Sequence, residues 1–233
     1  MTSRQDPAPG PAASRLLVVT AVAAERDAVV AGLLLAGDAG DTAADVIAAG
    51  VGPAAAAAGT ATALGRGSYG LVVSAGIGGG FAGTAPVGAV AVAEAIVAAD
   101  LGAQTADGFV PVAQLGFGTS EHRPPAALSR AVATALGAAY GPVLTVSTVT
   151  GTAERAAELI RRHPGAVAEA MEGFGVAEAA AAVGVPVLEI RTVSNAVGPR
   201  DRAAWRIGEA LAALTTAFGK LPAVLEVEAE HDH

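Results

Sequence analysis

The chain alternates short, almost uninterrupted apolar runs with stretches in which apolar residues recur at helical spacing. Such runs predict buried strands, and a period of three to four residues predicts helices. The predicted strands are residues 15–22, 45–51, 71–75, 143–149 and 187–193, with one or two more within 87–98. The predicted helices are residues 24–35, 53–64, 124–136, 152–162, 172–183 and 200–218, while residues 101–123 are irregular.

This order of elements predicts the fold class. Strands that are apolar along their whole length and alternate with helices are typical of a sheet covered by helices on both faces. No helix interrupts residues 87–98, so the sheet should be mixed. We therefore expect a three-layer α/β/α sandwich around a central mixed, largely parallel sheet. Ligands of such sheets bind beyond the carboxyl ends of the strands, which here include residues 76–80, 150–152 and 194–198.

Length and composition predict one domain without a covalent framework. The 233 residues are 52% hydrophobic, which is enough to bury a large core. We expect a disordered leader at 1–14, a single domain at 15–220 and a C-terminal tail at 221–233. The absence of cysteine excludes disulfides and thiolate metal sites and fits a cytoplasmic protein. Since no apolar run approaches about 18 residues free of glycine and charge, we expect no transmembrane helix.

Charge argues against nucleic acid as a partner. The formal net charge is −8 and the 14 basic residues are spread along the chain, whereas nucleic-acid-binding proteins carry a basic stripe. Aromatic residues make up only 3% of the chain, too few for a base-stacking platform. A small buried ligand is the better interpretation, with no metal and no organic cofactor.

A glycine-rich segment, Gly76-Ile77-Gly78-Gly79-Gly80-Phe81, follows the third predicted strand. It is either a flexible turn or a place where the backbone approaches a ligand closely, because glycine lacks a Cβ. It is not a dinucleotide fingerprint, since Phe81 stands where the last glycine of that motif belongs. The chain also lacks a phosphate-binding loop of the GxxxxGK[ST] type.

Three charged side chains lie in or beside apolar strands. Glu25 follows the first strand, and it is either an acidic residue in a first helical turn, favoured by the helix dipole, or a general base acting on water. Glu172 is either a salt-bridged structural glutamate or an acceptor for the two hydroxyls of a ribose. Arg191 shares a strand face with Glu189 by the period of two, so it either pairs within the sheet or orients a glutamate and a water at a site.

Together these motifs resemble the nucleoside phosphorylase and nucleosidase superfamily, specifically its hydrolase branch, over most of residues 15–218. The markers are Glu25 after the first strand, the glycines at 76–80, Thr150-Gly151-Thr152, Met171-Glu172-Gly173 and Arg191-x-x-Ser194. Residues 148–152, 171–174 and 194–201 most resemble the futalosine hydrolases, the nucleosidases of the alternative menaquinone pathway. The resemblance implies hydrolysis of an N-glycosidic bond in a purine ribonucleoside by a cytoplasmic homo-oligomer, often a dimer.

The resemblance also implies roles for particular residues. Glu25 takes the position of the glutamate that activates water, Arg191 that of the arginine that organises it, and Asn195 that of the aspartate that protonates N7 of adenine. Glu154 falls near an aromatic residue that packs on adenine, so stacking there is in doubt. The implied substrate-binding residues are Gly76, Ile77, Gly78, Thr150, Gly151, Met171, Glu172, Phe174 and Ser194.

The asparagine at position 195 suggests which base is bound. Adenine presents a donor at position 6, while hypoxanthine presents a carbonyl acceptor. An amide offers both polarities, so it can donate to O6 and accept from a protonated N7, and a mismatch costs about 1–3 kcal/mol. Asn195 therefore predicts a 6-oxopurine, although it could also be a turn residue. It has no acidic proton to give, so the source of the N7 proton is left open.

Other functions compete with this interpretation. A methylthioadenosine or S-adenosylhomocysteine nucleosidase would carry an acid at position 195. A phosphorylase would need a cluster of basic residues near the glycines to bind phosphate. The only candidates, Arg66 and Arg123, are distant from the glycines in the sequence. A non-catalytic nucleoside-binding module is the alternative from another class. The pair His122-Arg123 is either a solvated loop pair or a site for the carboxylate at the far end of the substrate.

Overall fold

Within residues 15–37 and 43–231, which a computed structural model describes, the chain forms ten strands, six α-helices and one short 3₁₀ helix. The strands are β1 (Leu16–Thr20), β2 (Ala44–Ala48), β3 (Leu71–Gly80), β4 (Val90–Ala98), β5 (Gly102–Thr105), β6 (Gly108–Pro111), β7 (Glu121–His122), β8 (Ala139–Thr145), β9 (Ala168–Ala170) and β10 (Val187–Ala196). The helices are α1 (Ala23–Leu35), α2 (Pro53–Leu64), α3 (Ala126–Leu136), α4 (Ala153–Arg162), α5 (Gly173–Ala181) and α6 (Ile207–His231), with the 3₁₀ helix at Arg202–Ala204. The predicted leader lies outside the described residues.

Eight of these strands form one mixed sheet, and β5 and β6 form a separate hairpin. The parallel pairs are β1–β2, β1–β3, β3–β10, β4–β8 and β8–β9, and the antiparallel pairs are β4–β10, β3–β9 and β4–β7. The predicted mixed, largely parallel sheet is confirmed. The three-residue strand β9 also closes a ring, because it pairs with β8 on one side and with the glycine end of β3 on the other.

Both faces of the sheet are buried, as the uninterrupted apolar strands predict. In β1, Leu17 and Val19 pack in the core that contains residues of α2 and α5. Leu16 and Val18 point the other way, into the core that contains residues of α1, α3 and α6. A strand buried on alternate sides needs no polar face, which explains why its sequence is continuous rather than alternating.

Three sequence-based element predictions are corrected. The segment 76–80, considered as a turn, continues β3 as regular strand, because β10 and β9 both pair with it there. Residues 101–123, predicted to be irregular, contain the β5–β6 hairpin and β7. The strand predicted at 143–149 is β8, which begins at Ala139 and ends at Thr145.

The last helix is also displaced from its prediction. It begins at Ile207 rather than residue 200 and runs to His231, through the segment predicted as a tail. Leu214, Phe218 and Leu221 are buried in the core shared with α1 and α3. Among the described residues, the stretch Ile207–Glu228 of this helix is the only one long and apolar enough to span a membrane, and one side of it packs against α1 and α3.

Candidate active site

Glu25 is held by backbone donors at the start of α1. It lies in the first helical turn, and its side chain turns back to the two residues that precede the helix and across to β3. Oε2 accepts hydrogen bonds from Ala21 N at 3.0 Å and Val22 N at 3.2 Å, and Oε1 accepts one from Ile77 N at 2.9 Å. A carboxylate offers about four acceptor positions, so one remains, on Oε1. The side chain is buried and fixed in direction, as a base acting on a bound water requires.

Gly76 brings Glu25 and Arg191 together. A Cβ on this glycine would lie 2.6 Å from Oε1 of Glu25 and 2.9 Å from Nη1 of Arg191. Both distances are too short for any side chain at position 76. The missing Cβ therefore leaves room for the carboxylate and the guanidinium on either side of this position of the strand.

Arg191 is fully buried and connects several elements. Its Nε donates to Oε1 of Glu189 at 2.9 Å, its Nη1 to Oε2 of Glu172 at 3.2 Å, and its Nη2 to the hydroxyl of Ser74 at 2.9 Å. Arg191 therefore pairs within its strand with Glu189 and also contacts Glu172 of another element. Burial alone would lower the pKa of Arg191, but the carboxylates of Glu189, Glu172 and Glu25 outweigh it and raise that pKa.

Glu172 lies where β9 ends and α5 begins. Its Oε2 accepts from Met171 N at 3.3 Å and from Arg191, and its Oε1 accepts from Gly52 N at 3.2 Å. One acceptor position on Oε1 is left. It can therefore take one ribose hydroxyl directly, and a second only when one of the present donors moves away.

Glu189 completes what we call the buried ion cluster, formed by Glu25, Glu172, Glu189 and Arg191. Glu189 is fully buried, and its Oε2 has no hydrogen-bond partner among the described residues. Burial raises the pKa of Glu189, against the attraction of Arg191. A Cβ at Gly173 would lie 2.2 Å from that oxygen. The glycine of the Met-Glu-Gly motif is thus needed to accommodate Glu189 beneath the start of α5.

A cleft of about 140 Å³, open to solvent, lies beside the carboxyl end of β10. Thr150, Asn195, Arg200 and Trp205 are among its lining residues. Oδ1 of Asn195 accepts from the Ser194 hydroxyl at 2.8 Å, and Nδ2 donates to Ala196 O at 3.0 Å. One N–H and one acceptor position of the amide are left for a ligand. None of the four buried-cluster residues lines the cleft.

Most of the predicted site residues lie in two groups. Glu25, Arg191, Glu172, Gly76, Ile77 and the backbone of Met171 meet in or beside the buried ion cluster. Asn195 and Thr150 meet at the cleft, and Ser194 joins them through Asn195 while donating to Gly78 O at 3.2 Å. Gly151 and Glu154 are exposed, and Thr152 caps α4 by accepting from Arg155 N.

Phe174 and His122 form a third location. Their ring centroids are 5.2 Å apart, and a ring nitrogen of His122 lies 2.8 Å from Oε1 of Glu178. His122 is therefore not part of a solvated loop pair, because it lies in β7 against α5. Arg123 is exposed and pairs with Glu121 at 2.6 Å. Both basic residues already face a carboxylate, so the structure gives no support to a carboxylate site there.

Sequence reasoning missed Ser74, Gly52 and Glu169. Ser74 is a hydroxyl inside an apolar strand, and Glu169 is a carboxylate in an alanine-rich stretch, so each carried a signal. Glu169 is buried and accepts from both the amide and the hydroxyl of Thr150.

No cluster of three His, Cys, Asp or Glu side chains able to hold a metal occurs within the described ranges.

Comparison with known proteins decides the family. Residues 25–226 match the Phosphorylase superfamily. The chain is 64% identical over 232 residues to the futalosine hydrolase of Streptomyces coelicolor, covering 93% of this chain and 99% of that protein. The chain belongs to the futalosine hydrolase family. The futalosine hydrolase of Acidothermus cellulolyticus is 50% identical over 220 residues, with 89% of this chain and 90% of that protein covered.

Solved structures show that this futalosine hydrolase family member has the nucleosidase fold. The 5′-methylthioadenosine/S-adenosylhomocysteine nucleosidase from Neisseria meningitidis, in complex with methylthio-immucillin-A, gives a TM-score of 0.76 at 18% identity and covers 90% of this chain and 99% of its own. The corresponding enzyme from Colwellia psychrerythraea, in complex with adenine, gives a TM-score of 0.73 at 21% identity. The match covers 92% of this chain and 95% of that one. At these identities the likeness establishes the fold and not the substrate.

Proposed function

We propose that this protein hydrolyses the N-glycosidic bond of futalosine, releasing hypoxanthine and dehypoxanthine futalosine, in the alternative pathway to menaquinone. The observation that carries this proposal is the 64% identity, over nearly the full length of both chains, to a futalosine hydrolase. The site geometry supplies groups suited to such a reaction, as follows.

Glu25 is the base that removes a proton from the attacking water. Three backbone donors fix its carboxylate, and its one remaining acceptor position lies on the oxygen nearest Gly76. Arg191 keeps its guanidinium beside the same glycine. A water held between these groups is positioned before the reaction begins, which removes part of the entropic barrier.

Glu172 binds the ribose. Its bonds to Arg191, Gly52 N and Met171 N fix the direction of its carboxylate, and Oε1 is free to accept a sugar hydroxyl. As the glycosidic bond breaks, the ribose gains positive charge, and the nearby carboxylates of Glu25 and Glu172 stabilise that charge electrostatically.

Asn195 selects the base. Its remaining N–H suits O6 of a 6-oxopurine, and its remaining acceptor position suits a protonated N7. An aspartate there would place an acceptor against O6 and leave a buried mismatch. We further propose that the enzyme works in the cytoplasm as a homo-oligomer, with a small nucleoside and neither nucleic acid nor a membrane as its partner.

Product analysis tests the reaction. The protein is incubated with futalosine or with methylthioadenosine, in phosphate-free buffer and with phosphate, and the bases are separated by chromatography. We expect hypoxanthine from futalosine in both buffers and no adenine from methylthioadenosine. Strict dependence on phosphate would make the protein a phosphorylase, adenine release would make it a methylthioadenosine nucleosidase, and binding without turnover would make it a binding module.

A further inference from the structure

Glu169 is a buried carboxyl group one hydrogen bond away from the cleft. It lies in β9, with 4% of its surface exposed. Oε1 accepts from Thr150 N at 2.9 Å, and Oε2 accepts from the Thr150 hydroxyl at 2.5 Å. Thr150 in turn lines the cleft together with Asn195. The threonine hydroxyl therefore lies between a buried carboxyl group and the space beside the amide.

Gly79 lies between Glu169 and Asn195 in the sheet. In the sheet it is paired with Glu169 of β9 and with Asn195 of β10. Paired residues of neighbouring strands direct their side chains to the same face, and two strand spacings separate the outer Cα atoms by about 9–10 Å. A Cβ on Gly79 would lie 3.3 Å from Nδ2 of Asn195. The atom nearest to that position is Cγ2 of Val197, at 2.9 Å. The absence of a side chain at Gly79 therefore lets Val197 and the Asn195 amide pack close to the strand.

We propose that Glu169, acting through the Thr150 hydroxyl, supplies the proton that the departing purine needs. This inference rests on the proposed hydrolysis, in which the base leaves with the bonding electron pair and must be protonated. Asn195 can stabilise a protonated N7 but has no acidic proton to give. The Glu169–Thr150 pair lies beside Asn195 and fills that gap.

The proton balance is complete without another reactant. When Glu169 is protonated, its O–H donates to Thr150, and the Thr150 O–H turns into the cleft. As C1′–N9 breaks, the Thr150 proton passes to N7 and the Glu169 proton passes to Thr150. Water forms the C1′–O bond and gives a proton to Glu25. After the products leave, Glu25 loses that proton to solvent and Glu169 regains one.

The environment of Glu169 favours the protonated form that this step requires. Burial raises the pKa of Glu169, against hydrogen bonds from Thr150 that lower it. A general acid is most effective when its pKa lies near the working pH. A shift upwards from the usual range of a glutamate therefore moves this group towards the role of an acid.

Kinetics as a function of pH test the relay in full-length protein. Glu169→Gln keeps the size and an acceptor for Thr150 but removes the acid. We expect kcat for hypoxanthine release from futalosine to fall by about 10²- to 10⁴-fold, the usual contribution of general acid–base catalysis, with little change in KM. In wild type, kcat should fall at high pH, where Glu169 has lost its proton. This alkaline limb of the pH profile should be absent from Glu169→Gln. Glu209→Gln, at an exposed position of α6 that does not line the cleft, is the control.

Variants of Thr150 keep the proposal testable even if Glu169→Gln does not fold. Thr150→Val keeps the shape but removes the hydroxyl and should lose activity and the alkaline limb, whereas Thr150→Ser should keep both. Unchanged alkaline limbs in Glu169→Gln and Thr150→Val, or a loss confined to KM, would overturn the proposal. Failure of the proposed function is visible separately, because wild-type protein would then release no hypoxanthine from futalosine. The pH dependence of the same variants would in that case be measured with whichever purine nucleoside the protein cleaves.

Discussion

The buried ion cluster and the cleft differ in how much of their hydrogen-bonding capacity is already used. In the cluster, Glu25 and Glu172 each accept three hydrogen bonds, and Arg191 donates to three side chains. In the cleft, Asn195 retains one donor and one acceptor position. The proposed function accordingly assigns sugar and water chemistry to the cluster and the distinction between bases to the cleft.

Because of this difference, substitutions in the two regions should have different consequences. A change in the cluster leaves buried charges without partners, so it should affect both stability and the chemical step. A change in the cleft should alter which base is accepted while leaving the fold intact. Variants that break this separation would show that the two regions do not have the roles assigned to them.

Arg191→Met should have the largest effect. It leaves the carboxylates of Glu189 and Glu172 without their cation, and breaking a buried pair costs about 3–5 kcal/mol. Urea denaturation should show this loss in the free energy of unfolding, and activity should vanish. Arg206→Met is the control, because Arg206 is 62% exposed. Equal stabilities of the two variants would contradict the central position of Arg191.

Glu25→Gln should mainly abolish the chemical step. A glutamine cannot take a proton from water, so kcat should fall by about 10²- to 10⁴-fold. Its amide NH₂ would also face backbone N–H groups, which costs about 1–3 kcal/mol of stability. Glu209→Gln, at an exposed site on α6, is the matched control. A Glu25→Gln enzyme with wild-type kcat would exclude Glu25 as the base.

Glu189→Gln should have the smallest effect, visible in the pH dependence of stability. Burial raises the pKa of Glu189 in the folded protein, so the folded state keeps a proton to higher pH than the unfolded chain. Between the two pKa values the free energy of unfolding falls as pH rises. Urea denaturation at a series of pH values above the ordinary pKa of a glutamate should show that the variant lacks this part of the slope. A slope identical to wild type would show that Glu189 does not titrate differently on folding.

The sequence was sufficient to predict the central residues of the cluster. Glu25, Glu172 and Arg191 are charged residues at the ends of apolar strands, and strand ends in an α/β fold converge at one edge. It could not predict the partner of each charge. Ser74 and Gly52 lie 117 and 120 positions from the residues they contact, and such contacts depend on strand order and register.

The strand β9 shows a second limit of the sequence. It has only three residues, Ala168–Ala170, too few for a hydrophobic period to be recognised. Its pairing with Gly79 and Gly80 fixes both the extended form of the glycine segment and the position of Glu169. The missed strand and the missed carboxyl group therefore have the same cause.

The ratio of kcat/KM for futalosine to that for its 6-amino analogue, in wild type and in Asn195→Asp, tests the division between cluster and cleft most directly. The account predicts that wild type prefers the 6-oxo substrate. Asn195→Asp should shift the ratio towards the 6-amino analogue by about tenfold or more, since a buried mismatch costs about 1–3 kcal/mol, with unfolding unchanged. An unchanged ratio in the folded variant would contradict the assignment of base selection to the cleft.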